Sequence, residues 1–198
     1  DFELAQRAFK RLSKIPSCAN KAEIAIKYLH LRLSIETFMR SENDYTQAIR
    51  QFRAVLSEEN FANEAIPYLD SCHYLSAYNL LNQEHSDETL QKGAELLFPI
   101  LIDPQSEQYE SAHHVLKQTC NEDLKLENLF NLAIQTRKQN LFRQAFVFYA
   151  AILRRSYQIL HAAEENSNTQ MQTYYFRAAY NAAFSLNAIV ENEKKLDP

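Results

Sequence analysis

Glycine is almost absent from this chain, with one among 198 residues, and only five residues are proline. Tight β-hairpin turns depend on glycine, so a β-sandwich or a series of β-hairpins is excluded. Val and Thr are sparse next to Ala, Leu, Gln, Glu and Lys, which all favour helices. The composition therefore predicts an all-α fold.

Cysteines and long apolar runs are also scarce. Cys18, Cys72 and Cys120 are odd in number and widely spaced, which indicates reduced thiols and excludes a zinc-finger spacing. The longest apolar run, residues 145–153, is far shorter than the ~20 residues that cross a bilayer. The chain opens without an initiating Met or a secretory signal. We interpret it as a piece of a longer intracellular protein, cytoplasmic or nuclear, with no membrane partner.

Charge of one sign does not dominate, because 25 acids nearly balance 21 bases and the net charge is −4. The chain as a whole is therefore not predicted to bind nucleic acid. It also lacks a glycine-rich phosphate loop, an H-E-x-x-H zinc motif and a nucleophile elbow. We predict a non-enzymatic protein with no catalytic residues, no cofactor and no metal.

The sequence does contain a repeated pattern with helical spacing. Copies begin at residues 45, 90 and 142, and a fainter one at residue 2 combines Phe2, Ala5, Phe9 and Leu12. Offsets of about 0, 3, 4, 7, 10 and 11 place the marked residues on one face of a helix. The three clear copies are Tyr45, Ala48, Ile49, Phe52, Val55 and Leu56; Leu90, Gly93, Ala94, Leu97, Ile100 and Leu101; and Phe142, Ala145, Phe146, Tyr149, Ile152 and Leu153.

Self-similarity at this period is typical of stacked helical hairpins. Breaks after each copy divide the chain into about nine helices, paired antiparallel, which we expect to form one repeat domain over residues 1–198. The small residue in each copy marks a close approach of two helices. The residues assigned to repeat packing are Tyr45, Ala48, Phe52, Leu90, Gly93, Leu97, Phe142, Ala145 and Tyr149.

The segment 129–153 resembles a tetratricopeptide repeat. Leu132–Ala133 fits the first helix of that repeat, and Asn140 fits the turn. In the second helix, the aromatic–Ala–aromatic signal is carried by Phe142, Ala145 and Tyr149, and residues 45–52 match it again. The intervals here exceed the family period of ~34 residues, so longer helices are expected. The resemblance implies a right-handed α-solenoid, and a scaffold or adaptor that holds a peptide or helix of another protein in its concave groove.

Charged residues are unevenly distributed along the chain. Residues 84–110 hold seven acids and one base, whereas residues 128–160 hold five bases and no acid. One hypothesis is a basic groove for an acidic peptide; the alternative is that the two segments face each other or stay solvated. Some tetratricopeptide-repeat proteins bind an acidic tail with the first helix of each hairpin. The resemblance therefore implies further partner contacts on the first helices of this chain. The candidate partner-binding residues are Asn128, Asn131, Arg137, Lys138, Arg143, Arg154, Arg155, Arg177 and Asn181.

Other functional classes have weaker support. RNA binding along residues 128–160 is one alternative, and a subunit that assembles or self-associates through its solenoid edges is another. Glu110 and His113 form an E-x-x-H pair that, with Asp70 and His73, could hold a di-metal site, although we expect surface or capping histidines. Cys72, His114 and Cys120 lie nearby in sequence.

The last predicted helix is rich in aromatic residues. Phe176, Tyr180 and Phe184 share one face at i, i+4 and i+8, and Tyr174 and Tyr175 precede them. We predict that this stripe is buried against the preceding helix. An exposed anchor for a partner helix is the alternative.

Overall fold

The described part of the chain is entirely helical. A computed structural model describes residues 2–56, 61–83, 86–119, 126–162 and 169–196, and within those ranges it shows nine helices and no strand. The all-α prediction is confirmed. Cys120 lies outside the described residues. The helices are α1 Phe2–Leu12, α2 Ala19–Arg40, α3 Thr46–Leu56, α4 Ala62–Gln83, α5 Asp87–Leu101, α6 Tyr109–Thr119, α7 Leu126–Lys138, α8 Phe142–Ala162 and α9 Thr169–Leu196.

The chain divides into two compact units, Asp1–Ser76 and Ala77–Pro198. The boundary falls inside α4, between Ser76 and Ala77. Each unit has its own buried core. The single repeat domain over residues 1–198 stays a prediction.

The core of the first unit is built from the repeat copy on α3. Ala48 and Phe52 are fully buried, and Tyr45 lies at the edge of the same cluster. The ring of Phe52 stacks on Tyr68 of α4 with a centroid distance of 5.7 Å. The faint copy on α1 behaves differently, because α1 has no buried residue and Leu12 is exposed. A full set of apolar positions is therefore what separates a core helix from a surface helix here.

Pro67 lies in the second turn of α4. The helix already begins at Ala62, so the ring interrupts the backbone hydrogen bonding of an interior turn. Ala65, Leu69 and Cys72 of the same helix are buried in the first core. Their burial explains why the helix persists through the proline.

Helix α8 is the centre of the second unit. It contacts α5, α6, α7 and α9, and its side chains Ala145, Phe148, Tyr149 and Ile152 are fully buried. A helix that is covered on several sides must be apolar on several sides, and its sequence between residues 145 and 153 has that character. In the repeat copy on α8, the first residue, Phe142, is only half-buried. The repeat copy on α5 is also buried, including Leu90 and Leu97.

The only glycine marks a close helix approach. A Cβ atom on Gly93 of α5 would lie 2.5 Å from Cδ2 and 2.7 Å from Cγ of Leu81, a fully buried side chain of α4. Such distances lie inside van der Waals contact, so Leu81 would have to move. The absence of a side chain at position 93 therefore sets how closely α4 and α5 pack.

We expect Gly93→Ala to lower the free energy of unfolding by up to about 2 kcal/mol, because overpacking costs about 1–3 kcal/mol and better helix propensity returns about 1 kcal/mol. Urea unfolding measures the change. In a Leu81→Ala background the same substitution fills vacated space and should become neutral or stabilising. Stabilisation by Gly93→Ala in both backgrounds would contradict the packing assigned to this position.

The turn between α7 and α8 uses the residue that the tetratricopeptide resemblance singled out. Asn140 has a φ of 63°, in the left-handed region. Its N–H donates to the carbonyl of Arg137, and the N–H of Leu141 donates to the carbonyl of Thr136. This pair of bonds is the Schellman arrangement that ends helices with Gly or Asn. The chain therefore turns here between α7 and α8, which contact each other.

Substitutions at Asn140 should follow backbone strain alone, because its side chain is exposed. We expect Asn140→Gly to be neutral or stabilising and Asn140→Val to cost about 1–3 kcal/mol, since a β-branched residue is strained at positive φ. Thermal unfolding compares the two variants. The control Gln135→Val, at an exposed position inside α7, should cost less than about 1 kcal/mol. Equal losses at positions 135 and 140 would show that the turn is not under this constraint.

Candidate partner-binding face

Helix α7 turns a polar row to solvent. Asn128, Asn131, Gln135 and Lys138 follow one another at helical spacing and are all exposed. The opposite side of the helix is buried and includes Phe130. Three of the four row residues are among the partner-binding candidates from the sequence. We call these four residues the α7 row.

Arg137 connects the α7 row to α9. Its guanidinium donates a 2.8 Å hydrogen bond to Oδ1 of Asn181 and lies 5.3 Å from the ring centroid of Phe184. Asn181 in turn donates from Nδ2 to the backbone carbonyl of Arg177, at 2.7 Å. The structure thus brings together Arg137, Arg177 and Asn181, which sequence reasoning proposed from two distant segments.

Aromatic rings lie beneath these arginines. The Arg177 guanidinium lies 4.9 Å from the ring centroid of Phe130, and that ring meets Tyr149 edge-on at 5.9 Å. Cation–π contacts of this kind hold a guanidinium flat while its N–H groups remain available for other acceptors. In the described part of the chain, neither Arg137 nor Arg177 forms an ion pair with a carboxylate.

The hydroxyl of Tyr149 is a second unusual feature of this cluster. It is fully buried and has no hydrogen-bond partner among the described residues. Burial raises the pKa of Tyr149, and the guanidinium groups of Arg137 and Arg177 partly oppose that rise. Two cations therefore act on one site that holds no anion from the described residues. We call Arg137, Arg177 and Asn181 the arginine cluster.

The other candidate arginines are engaged within the chain. Arg154 donates to both carboxylate oxygens of Glu110, at 2.6 and 3.4 Å. Arg143 pairs with Glu193 at 2.9 Å, and its guanidinium lies 5.6 Å from the ring centroid of Phe98. The acidic and basic segments thus face each other at Arg154 and Glu110. This is the alternative to a basic peptide groove that the sequence left open. Arg155 is half-buried and also makes contacts within the chain.

The prediction that the aromatic stripe of α9 is buried is wrong. Phe176 is 67% exposed, Tyr180 72% and Phe184 46%. Small or aliphatic residues occupy the side that packs along α8, where Ala178, Ala182, Ser185 and Ile189 are buried. Because α9 has apolar residues on two sides, the i, i+4, i+8 spacing identified a common face but not which face was covered.

A cavity of about 360 Å³ lies between the end of α8 and the start of α9. Its walls include Tyr157 and His161, whose ring centroids are 4.1 Å apart, and the exposed Phe176. Sequence reasoning missed Tyr157 and His161. The signal that could have found them is their i, i+4 spacing beyond the last residue of the repeat copy. The remaining lining residues are Leu160, Gln172 and Tyr175.

The histidines of the metal hypothesis are buried, not at the surface as predicted. His73 is 3% exposed and His113 is 8% exposed. Burial first and Arg53 second lower the pKa of His73 to about 4. Burial and Arg154 lower that of His113 to about 4, against the opposing charge of Glu110. Both imidazoles are therefore neutral near pH 7.

No group of three or more His, Cys, Asp and Glu is placed to hold a metal within the described ranges. Glu110, which the hypothesis required as a ligand, is bound to Arg154 instead. Asp70 is buried and engaged in contacts within the chain, and His114 is exposed. The described residues therefore supply no donor set for the metalloenzyme hypothesis.

These two buried histidines predict acid lability. Their folded pKa values lie below the usual ~6.5, so their stabilisation is complete above that pH and is lost as pH falls from about 6.5 towards 4. Between pH 7.5 and 5.0 we expect a loss of about 2 kcal/mol per histidine. Urea unfolding at the two pH values measures it. The loss should shrink in a His73→Gln/His113→Gln variant, and an equal loss in the variant would contradict this origin.

Comparison with protein-family models, with curated proteins and with solved structures found no match to this chain. Among the described helices, none combines the length and apolarity needed to span a bilayer.

Proposed function

We propose that this chain is a non-enzymatic interaction module that binds a peptide or helical segment of another protein across α7 and α9. The observation that carries the proposal is the arginine cluster. Its two guanidinium groups rest on aromatic rings, lack a carboxylate partner within the described residues, and adjoin the exposed α7 row.

The chemistry of this face favours an acidic peptide. Asparagine and glutamine side chains both donate and accept hydrogen bonds, so the α7 row can pair with the peptide groups of an extended segment. A guanidinium binds a carboxylate through two parallel hydrogen bonds. Phe184, half exposed beside Arg137, offers an apolar contact next to the charged one. A segment that combines acidic and apolar side chains fits all three features.

The helical-repeat interpretation supports the same proposal. In the tetratricopeptide family, the first helix of each hairpin faces the groove, and α7 is the first helix of the hairpin closed by Asn140. The α7 row is then the groove-facing side of that hairpin. We propose a tetratricopeptide-like repeat architecture on this basis, with right-handed stacking of the hairpins as part of the proposal.

RNA binding along residues 128–160 has less support. That hypothesis needs several free cations along one stretch, yet Arg143 and Arg154 are paired with carboxylates of the same chain. The net charge of −4 also opposes long-range attraction of a polyanion.

The test is selection of random twelve-residue peptides displayed on phage against the whole chain. We expect acidic peptides to be enriched, and a selected peptide to bind an Asn131→Asp/Lys138→Glu variant at least about tenfold more weakly, because both changes oppose a carboxylate. Fluorescence anisotropy measures the dissociation constants.

The matched control is Lys117→Glu/Gln118→Glu, which makes the same charge change at two exposed positions of α6. It should leave peptide affinity within about twofold. Selection of peptides without acids, or equal affinity of the α7 variant and the wild type, would show that this face is not the binding site. Salt-sensitive binding of single-stranded oligo-U that the α7 variant weakens would instead favour the RNA hypothesis.

A further inference from the structure

Helix α9 carries apolar residues on both of its long faces. Ala178, Ala182 and Ser185 are buried on the side that packs along α8. On the outward side, Phe176 and Tyr180 each expose more than half of their surface to solvent. Exposed apolar side chains that lie next to one another mark sites of association. The outward face of α9 therefore has the composition of an interface.

The spacing on that outward face is typical of a seam between two helices. Positions 173, 176, 180, 183, 187, 190 and 194 alternate steps of three and four and are all exposed. This is the seven-residue repeat that aligns one helix along another. Arg177, Phe184 and Glu191 recur at intervals of seven along one flank of the seam, and Leu186 lies on the other.

The order of charges on the flank makes the face complementary to itself. An antiparallel pairing of two copies of α9 about a two-fold axis near residue 185 places Arg177 of each copy opposite Glu191 of the other. Tyr180 then meets Val190 of the second copy, and the two Phe184 rings meet near the axis. A parallel pairing would place each flank of the seam against the opposite flank of the second copy, so Arg177 and Glu191 would not meet.

The contacts that Arg177 and Glu191 make within one chain leave both side chains able to form the pairs between two copies. Glu191 pairs only with Lys194, at 3.6 Å, within the described residues, and both side chains are largely exposed. Exposed pairs of this kind contribute about 0–1 kcal/mol. Arg177 lies over Phe130, a contact that uses the face of its guanidinium and leaves the N–H edge for a carboxylate.

We propose that the outward face of α9 is the interface of an antiparallel homodimer of this chain. Phe176, Tyr180, Phe184 and Val190 supply the apolar contact, and two Arg177–Glu191 pairs fix the direction. The dimer proposal does not need the peptide-binding function, because it uses no residue of the α7 row. Arg177 and Phe184 are shared between the two surfaces, so the two tests use different variants.

The experiment is sedimentation equilibrium of the whole chain between about 1 and 100 μM, the range in which interfaces of modest size associate. We expect a dimer. Tyr180→Glu should raise the dissociation constant at least about tenfold and leave the helix content unchanged, since the side chain is 72% exposed. Met39→Glu, at another 72% exposed apolar residue on α2, is the matched control and should leave the dimer intact.

Direction is tested by charge exchange. Arg177→Glu and Glu191→Arg should each weaken the dimer, and the double variant should restore it, because the two pairs are re-formed with reversed charges. A monomer up to 100 μM, a dimer that Tyr180→Glu leaves intact, or single charge variants that weaken without restoration in the double variant would each overturn the proposal. In the first case the outward face belongs to a partner other than this chain.

Discussion

Burial of α8 on several sides is the constraint on which the second unit depends. Because Ala145, Phe148, Tyr149 and Ile152 must all leave water, helices α5, α6, α7 and α9 are required around them. Helices α7 and α9 both pack on α8, and Arg137 of α7 reaches Asn181 of α9. The arginine cluster exists because both helices lie on α8, although residues 137 and 181 are far apart in the chain. The candidate binding face is thus a consequence of the core.

The two candidate surfaces of this unit differ in chemistry, and the difference indicates how each would be used. The α7 row is polar and charged, and its side chains stay hydrated when nothing is bound. Such a surface favours reversible binding of a partner. The outward face of α9 is aromatic and aliphatic, which favours a contact that persists. A module that holds a second copy on one face and an exchangeable peptide on the other would present two peptide sites per assembly.

Sequence periodicity predicted the helices and the inward-facing repeat copies, because burial on one side leaves a 3.6-residue signature whatever lies next to it. The resemblance to a tetratricopeptide repeat placed Asn140 at a turn, and its φ is positive there. Periodicity could not predict which side of α9 was covered, because both sides are apolar. The pairing of Arg154 with Glu110 was equally out of reach, since it depends on how separate helices meet. The burial of His73 and His113 was also missed, because the identity of one residue does not reveal how deeply its side chain is buried.

The order in which α8 and α9 are synthesised has a consequence for folding in the cell. On a ribosome α8 leaves the exit tunnel before α9, so its apolar side stays open to chaperones or to other nascent chains until α9 follows. Neighbouring ribosomes on one messenger would display uncovered α8 helices close together. Slow translation through residues 163–196 would lengthen the time for which α8 stays uncovered.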